Sequence, residues 1–219
     1  LTFGDDGVHN VTFDVEMLRP APSSDRQPLF LTMFTHRPWA LLGLSRGYAA
    51  AIFPGCDGQD IAPAFQQAYK GRYSMALIMA RALVASLTLD YALGLDYVAT
   101  SQVCMTGHSR NGKLSLVAAA FDERITAVVG SSPGAPIATP FRFSSAMYFG
   151  QDAVTSPPPS VWFSWWVAKS REYIGRENEM PMDGHGVVGM IAPRAAAIAT
   201  AWQDRESDLT FGNEQNLKE

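Results

Sequence analysis

The sequence predicts an α/β fold: a three-layer sandwich with a mostly parallel central sheet between helices. Three observations predict it. Wholly apolar runs of strand length end at turn residues, as strands buried on both faces do. An apolar segment of helical period lies between two of them, and strand, helix and strand in that order imply a parallel βαβ unit. A glycine-flanked serine then sits where another apolar strand passes into another apolar helix.

In chain order, Val11 to Leu18 alternates apolar and polar residues like a half-buried strand and predicts an antiparallel edge hairpin, with residues 20–28 as a polar link. Leu29 to Phe34 and Tyr48 to Phe53 are the first two buried central strands. Tyr73 to Leu95 carries Ala, Leu and Met at helical spacing, and Ser101 to Thr106 is the next strand. Leu114 to Phe121 reads as helix and Ile125 to Val129 as strand. Residues 133–186 read as a loop-rich insertion of the kind that builds pockets. Ala195 to Ala201 is the last predicted strand. With 219 residues, 47% of them hydrophobic and 17% charged, the chain fits one domain over 1–219.

Composition excludes several classes of function. The 17 Lys and Arg stand against 21 Asp and Glu, a formal charge of −4, so no basic excess exists to neutralise a phosphate backbone and no nucleic-acid partner is expected. The longest apolar runs fall far short of a bilayer, so no membrane span is expected. Cys56 and Cys104 are too few for a disulfide framework and are not spaced for a metal. Cys104 lies in an apolar strand and reads as buried core, whereas Cys56 is in a loop and could be a thiol or could pair. The chain opens at Leu1 without an initiator Met, a basic segment or a cleavage site, so any targeting segment is expected to have been removed or left out.

The chemistry concentrates in Gly107-x-Ser109-x-x-Gly112. A tight strand-to-helix turn crowds the backbone around its central residue, so small neighbours are needed while the hydroxyl is pushed out above the sheet, as in the nucleophile elbow of α/β-hydrolases. The second glycine stands at +3 instead of +2. Asn111 holds the +2 place, and Asn tolerates strained backbone better than most residues. The helix beginning at Arg110 aims its amino-terminal N–H groups at the serine oxygen and at a developing oxyanion. The competing reading is an ordinary N-cap, with the serine hydroxyl accepting from those N–H groups.

From here the chain resembles the glucuronoyl esterases of carbohydrate esterase family 15, which have the α/β-hydrolase fold. The family motif Gly-Cys-Ser-Arg-x-Gly-Lys matches Gly107-His108-Ser109-Arg110-Asn111-Gly112-Lys113. Further blocks follow in the family's order: residues 120–125 (AFDERI), 161–163 (VWF), Tyr173-Ile174, 180–185 (MPMDGH) and 191–194 (IAPR). The resemblance implies that Ser109 is the nucleophile and that Arg110 donates to the oxyanion through its backbone N–H and its guanidinium. Lys113 and Gln151 would then bind the sugar. It also implies an acyl-enzyme route with no metal or organic cofactor, 4-O-methyl-glucuronoyl esters of plant cell wall polysaccharide as substrates, and a secreted or periplasmic location. Acetyl xylan esterase or general carboxylesterase activity, or a non-catalytic relative, are the alternatives. For Arg110 and Lys113 the competing reading is a solvated first helical turn.

The departures from the family concern the acid and the base. Many fungal members take their acid from the strand after the serine helix, where Ser132 stands here, which leaves Asp204 or Asp208, with Asp204 nearer the strand end. The aromatic residue expected two places beyond the acid is Glu206. In α/β-hydrolases the histidine follows the acid, yet the histidines here are His9, His36, His108 and His185. The first three read as structural, and His185 is the internal candidate for the base. The resemblance places the catalytic histidine beyond Glu219, so this chain is expected to lack the base along with the last strand and helix.

Overall fold

The apolar runs of the sequence become the centre of one sheet. The structure, a computed structural model, describes residues 2–3, 10–21, 25–57, 59–70, 75–134, 137–138, 140, 142, 172–173 and 176–200. Strands β1 (Thr2–Phe3) and β2 (Val11–Thr12) form a separate antiparallel pair. The main sheet contains β3 (Glu16–Leu18), β4 (Gln27–Met33), β5 (Ala49–Phe53), β6 (Val98–His108), β7 (Ala127–Ser131) and β8 (Ala195–Ala199), in the order β3-β5-β4-β6-β7-β8. All neighbours are parallel except β3, which pairs antiparallel with β5. The helices are α1 (Arg37–Leu44), α2 (Ala62–Ala68), α3 (Leu77–Ala92), α4 (Arg110–Phe121) and α5 (Gly184–Gly189).

Period-two alternation sends the strand side chains to two faces. Leu29, Leu31 and Met33 of β4, Ala49, Ala51 and Phe53 of β5, and Val103 and Met105 of β6 join one core with α2, α3 and α4. Their neighbours Ala50 and Ile52 pack with Phe30 and with Ala40 of α1 in a second, smaller cluster. Helices therefore lie on both faces, and the predicted three-layer α/β-hydrolase architecture is the one observed. Residues 111–120 of α4 form an uninterrupted buried run, because the helix is wedged between the sheet, α3 and α5.

Several expectations need correction. The predicted strand over 11–18 splits in two because Phe13 leaves the ladder to pack its ring on Phe65 of α2, with centroids 6.3 Å apart. The hairpin expectation holds for the first part, where β2 pairs antiparallel with the preceding β1, while the second part forms β3, an antiparallel edge strand against β5. Cys104 is half-buried, not core, since it faces the α1 side and lines a groove of about 410 Å³ with Phe30, Trp39 and Tyr48. Cys56 is a buried free thiol whose pKa burial pushes up to about 12. Helices α1 and α2, each with proline in its first turn, are absent from the sequence-predicted elements. Most of the 133–186 insertion lies outside the described residues. No helix among the described residues is long and apolar enough to cross a membrane.

Candidate active site

In a parallel sheet every strand delivers its following loop to the same edge, and here the loops after β4, β5, β6 and β7 converge there. Ser109 joins β6 to α4 with φ 55° and ψ −121°, one of two non-glycine residues with positive φ among those described. Such backbone costs on the order of 1–3 kcal/mol and persists only where its surroundings fix it. They do so here: the Ser109 N–H donates to the Ser131 carbonyl at 2.8 Å, and the Ser109 carbonyl accepts from the Lys113 N–H at 3.1 Å. Although Ser109 occupies the N-cap place of α4, its side chain makes no capping bond. The ordinary-cap reading therefore fails.

The glycines answer to crowding. A Cβ on Gly107 would lie 2.5 Å from the Asn111 carbonyl oxygen, and one on Gly112 would lie 2.8 Å from the Ser131 carbonyl oxygen. The second glycine belongs at +3 because that is where the first turn of α4 meets the end of β7.

Asn111 does not serve the turn by tolerating strained backbone, since it is helical and the positive φ belongs to Ser109. Its side chain does the work. Fully buried, its Oδ1 accepts from the Cys56 N–H at 2.8 Å, and its Nδ2 donates to Thr35 Oγ1 and to Asp57 Oδ2, each at 3.1 Å. One carboxamide thus ties the first turn of α4 to the loops after β4 and β5. In the sequence, Asn111 at a place usually held by glycine was the available signal.

His36 completes the frame. Its Nε2 accepts the His108 N–H at 3.1 Å, while its ring stacks on Trp39 at 4.6 Å. An accepting Nε2 requires the neutral ring with its proton on Nδ1. Burial lowers the His36 pKa and His108 lowers it further, against an upward pull from Asp57. His108 Nδ1 lies 3.1 Å from Ser131 Oγ.

Arg110 opens α4 beside the nucleophile, and its Nη2 is hydrogen-bonded to Asp57 Oδ1. Lys113 is buried, 2% exposed, so the solvated-turn reading does not hold for it. Ser132 stands just past β7, with its N–H donating to the Ala199 carbonyl at 2.6 Å. His185 is half-buried in the first turn of α5, which packs against α4. Among the described residues no histidine is hydrogen-bonded to Ser109. His9, Gln151, Asp204 and Asp208 lie outside the described residues.

Residues in the other resembling blocks hold the scaffold. Arg124 bridges Asp122 and Asp90, and also donates to the Ser86 carbonyl. Arg194 gathers the carbonyls of Ala119, Asp122 and Ile125 at the carboxyl end of α4. Asp183 caps α5 and accepts from Arg142.

A family model described as "Glucuronyl esterase, fungi" matches residues 52–211, well over half of the chain. The chain belongs to the glucuronoyl esterase family. A family 15 glucuronoyl esterase from Caldicellulosiruptor kristjansonii superposes on this family member with a TM-score of 0.78 and 25% identity, over 94% of this chain and 62% of its own. The 4-O-methyl-glucuronoyl methylesterase of Hypocrea jecorina is 29% identical over 154 residues, which are 68% of this chain and 33% of that protein. Carbohydrate esterase MZ0003, from an unknown prokaryotic organism, is 29% identical over 134 residues, 57% of this chain and 29% of its own. The match thus spans about a third of these curated glucuronoyl esterase relatives. A glucuronoyl esterase from Sporotrichum thermophile solved with methyl 4-O-methyl-β-D-glucopyranuronate shares the fold at a TM-score of 0.62 and 17% identity, covering 86% of this chain and 53% of its own.

Proposed function

We propose that the protein is a serine esterase that cleaves carbohydrate esters, 4-O-methyl-glucuronoyl esters in the first place, through an acyl-enzyme. One observation carries this reading: a serine held at positive φ at the carboxyl end of a central strand, with its hydroxyl unused as a cap and an arginine next to it at a helix amino terminus. Ser109 Oγ attacks the ester carbonyl as a general base takes its proton, and the tetrahedral oxyanion is met by the Arg110 N–H and guanidinium, where fixed donors do not have to reorganise as charge develops. Collapse passes that proton to the departing oxygen, releases the alcohol and leaves the uronoyl group on Ser109. Water then attacks that acyl ester and returns the uronic acid and the free serine.

Asp204 is our assignment for the acid that orients the base, and Lys113 and Gln151 are assigned to the sugar hydroxyls. The names of the relatives supply the substrate class, and a polysaccharide ester implies action outside the cytoplasm. Turnover of the methyl ester of 4-O-methyl-glucuronic acid, compared with release of acetate from acetylated xylan, tests the reading. Glucuronate ester cleavage should dominate, and Ser109→Ala should reduce it by at least about a thousandfold. Cleavage that survives Ser109→Ala, or a preference for acetylated xylan, overturns it.

A further inference from the structure

Arg110 does not reach the serine turn as an unrestrained side chain. Its Nη2 is held by Asp57 Oδ1, and the other oxygen of that carboxylate accepts from Asn111 Nδ2 at 3.1 Å. Asn111 is in turn immobilised: it is fully buried, its Oδ1 is held by the Cys56 N–H, and its Nδ2 lies within 3.1 Å of Thr35 Oγ1. Rotation of the Asp57 carboxylate would break the contact with Asn111, so the orientation of one oxygen fixes that of the other. A guanidinium is a rigid planar fork with five donors. One anchored corner restricts its swing and keeps the remaining donors for another acceptor.

We infer that Asp57 is the positioning residue for Arg110, and that the buried Asn111 carboxamide fixes Asp57, so that the guanidinium is held over the place where the oxyanion forms. This rests on the proposed esterase reading, in which Arg110 faces the developing charge. Lone-pair geometry supports the split of labour: the two carboxylate oxygens each have one defined partner, one in the core and one at the mouth of the site. Asp57 also sits one residue past Cys56, whose backbone is pinned by the same Asn111, so the loop cannot carry the carboxylate away.

Two measurements on the purified protein test this. In ¹⁵N spectra the Arg110 guanidinium protons, identified by their loss in Arg110→Lys, should appear as resolved, slowly exchanging signals. They should merge into the averaged arginine envelope in Asp57→Asn, while the backbone amides of Ser109 and Lys113 stay in place. Asp57→Glu, which keeps the charge, should keep the signals resolved though shifted. In steady-state hydrolysis of the glucuronate methyl ester, Asp57→Asn should lower kcat by roughly 10- to 100-fold with KM changed less than about threefold. In an Arg110→Ala background it should add less than about twofold. Averaged Arg110 signals in the unmutated protein, signals indifferent to Asp57→Asn, or independent multiplicative losses in the double variant would each overturn the inference. Absence of ester turnover would bear on the supply of a catalytic base and on the proposed function, not on Asp57, and the guanidinium signals alone then decide the role of Asp57.

Discussion

The two faces of the sheet are built from the same strands, in strict alternation, and they are finished differently. On the α3–α4 side, Leu29, Leu31, Met33, Phe53, Val103 and Met105 disappear into one large core. On the α1 side, the intervening residues meet one short helix whose Leu41 and Leu42 remain exposed, and Phe30, Trp39, Tyr48 and Cys104 border a groove. On that side the strands are tied partly by threonines, with Thr32 Oγ1 donating to the Thr106 carbonyl at 2.8 Å and Thr106 Oγ1 to the Val129 carbonyl at 2.9 Å. The nucleophile's helix belongs to the densely packed face. Strained backbone such as that of Ser109 needs rigid surroundings, and α4 supplies them.

If packing density on the α4 side is what holds the serine turn, damage there should be large and damage on the α1 side small. The largest effect should come from Leu116→Ala, which empties a fully buried place against Gly130 of β7. A loss of about 2–5 kcal/mol in urea unfolding is expected. Gly107→Ala comes next, since its new Cβ would meet backbone and not a yielding side chain. About 3 kcal/mol should be lost, with amide shifts confined to the serine turn.

A smaller effect should follow pH through His36. Its folded pKa is depressed below the ordinary 6.5, so the unfolded chain binds the proton first. The contribution is complete above pH 6.5, falls as pH drops from 6.5 towards the depressed folded value, and is flat below it. The ring is half-buried, which limits the loss to about 1 kcal/mol or less. Melting temperatures measured from pH 7.5 to 5 should show that slope in the native protein and a flatter one in His36→Gln. The smallest effect should be that of Leu42→Ala on α1, whose side is 51% exposed: less than about 0.5 kcal/mol. A cost similar to that of Leu116→Ala would erase the distinction between the faces.

Much of this was legible in the sequence where the cause is local. The run Tyr48 to Phe53 gave β5 to within one residue because a strand buried on both faces has no polar periodicity to confuse it, and Leu114 to Phe121 lies wholly inside α4. The serine elbow was legible for the same reason: its glycines, strand and helix are contiguous. The frame around it was not. Asn111, Asp57, Cys56, Thr35 and His36 come together only because parallel strands bring their loops to one edge, and nothing in Cys56-Asp57 or Thr35-His36 announces a partner some 54 to 76 residues away. The split of the 11–18 strand was hidden too, since Phe13 fits the alternation and yet answers to Phe65.

Arg194 changes the electrostatics of the far end of the site. An α-helix acts as two opposite half charges, and these partly cancel at any point beyond its tips. The guanidinium of Arg194 sits on the carbonyls of Ala119, Asp122 and Ile125, where the negative half charge of α4 would lie. The carbonyls at that end are therefore satisfied by a cation, which offsets part of the negative half charge there. A residue in the block 191–194 thus closes the carboxyl end of the same helix whose amino terminus opens beside Ser109.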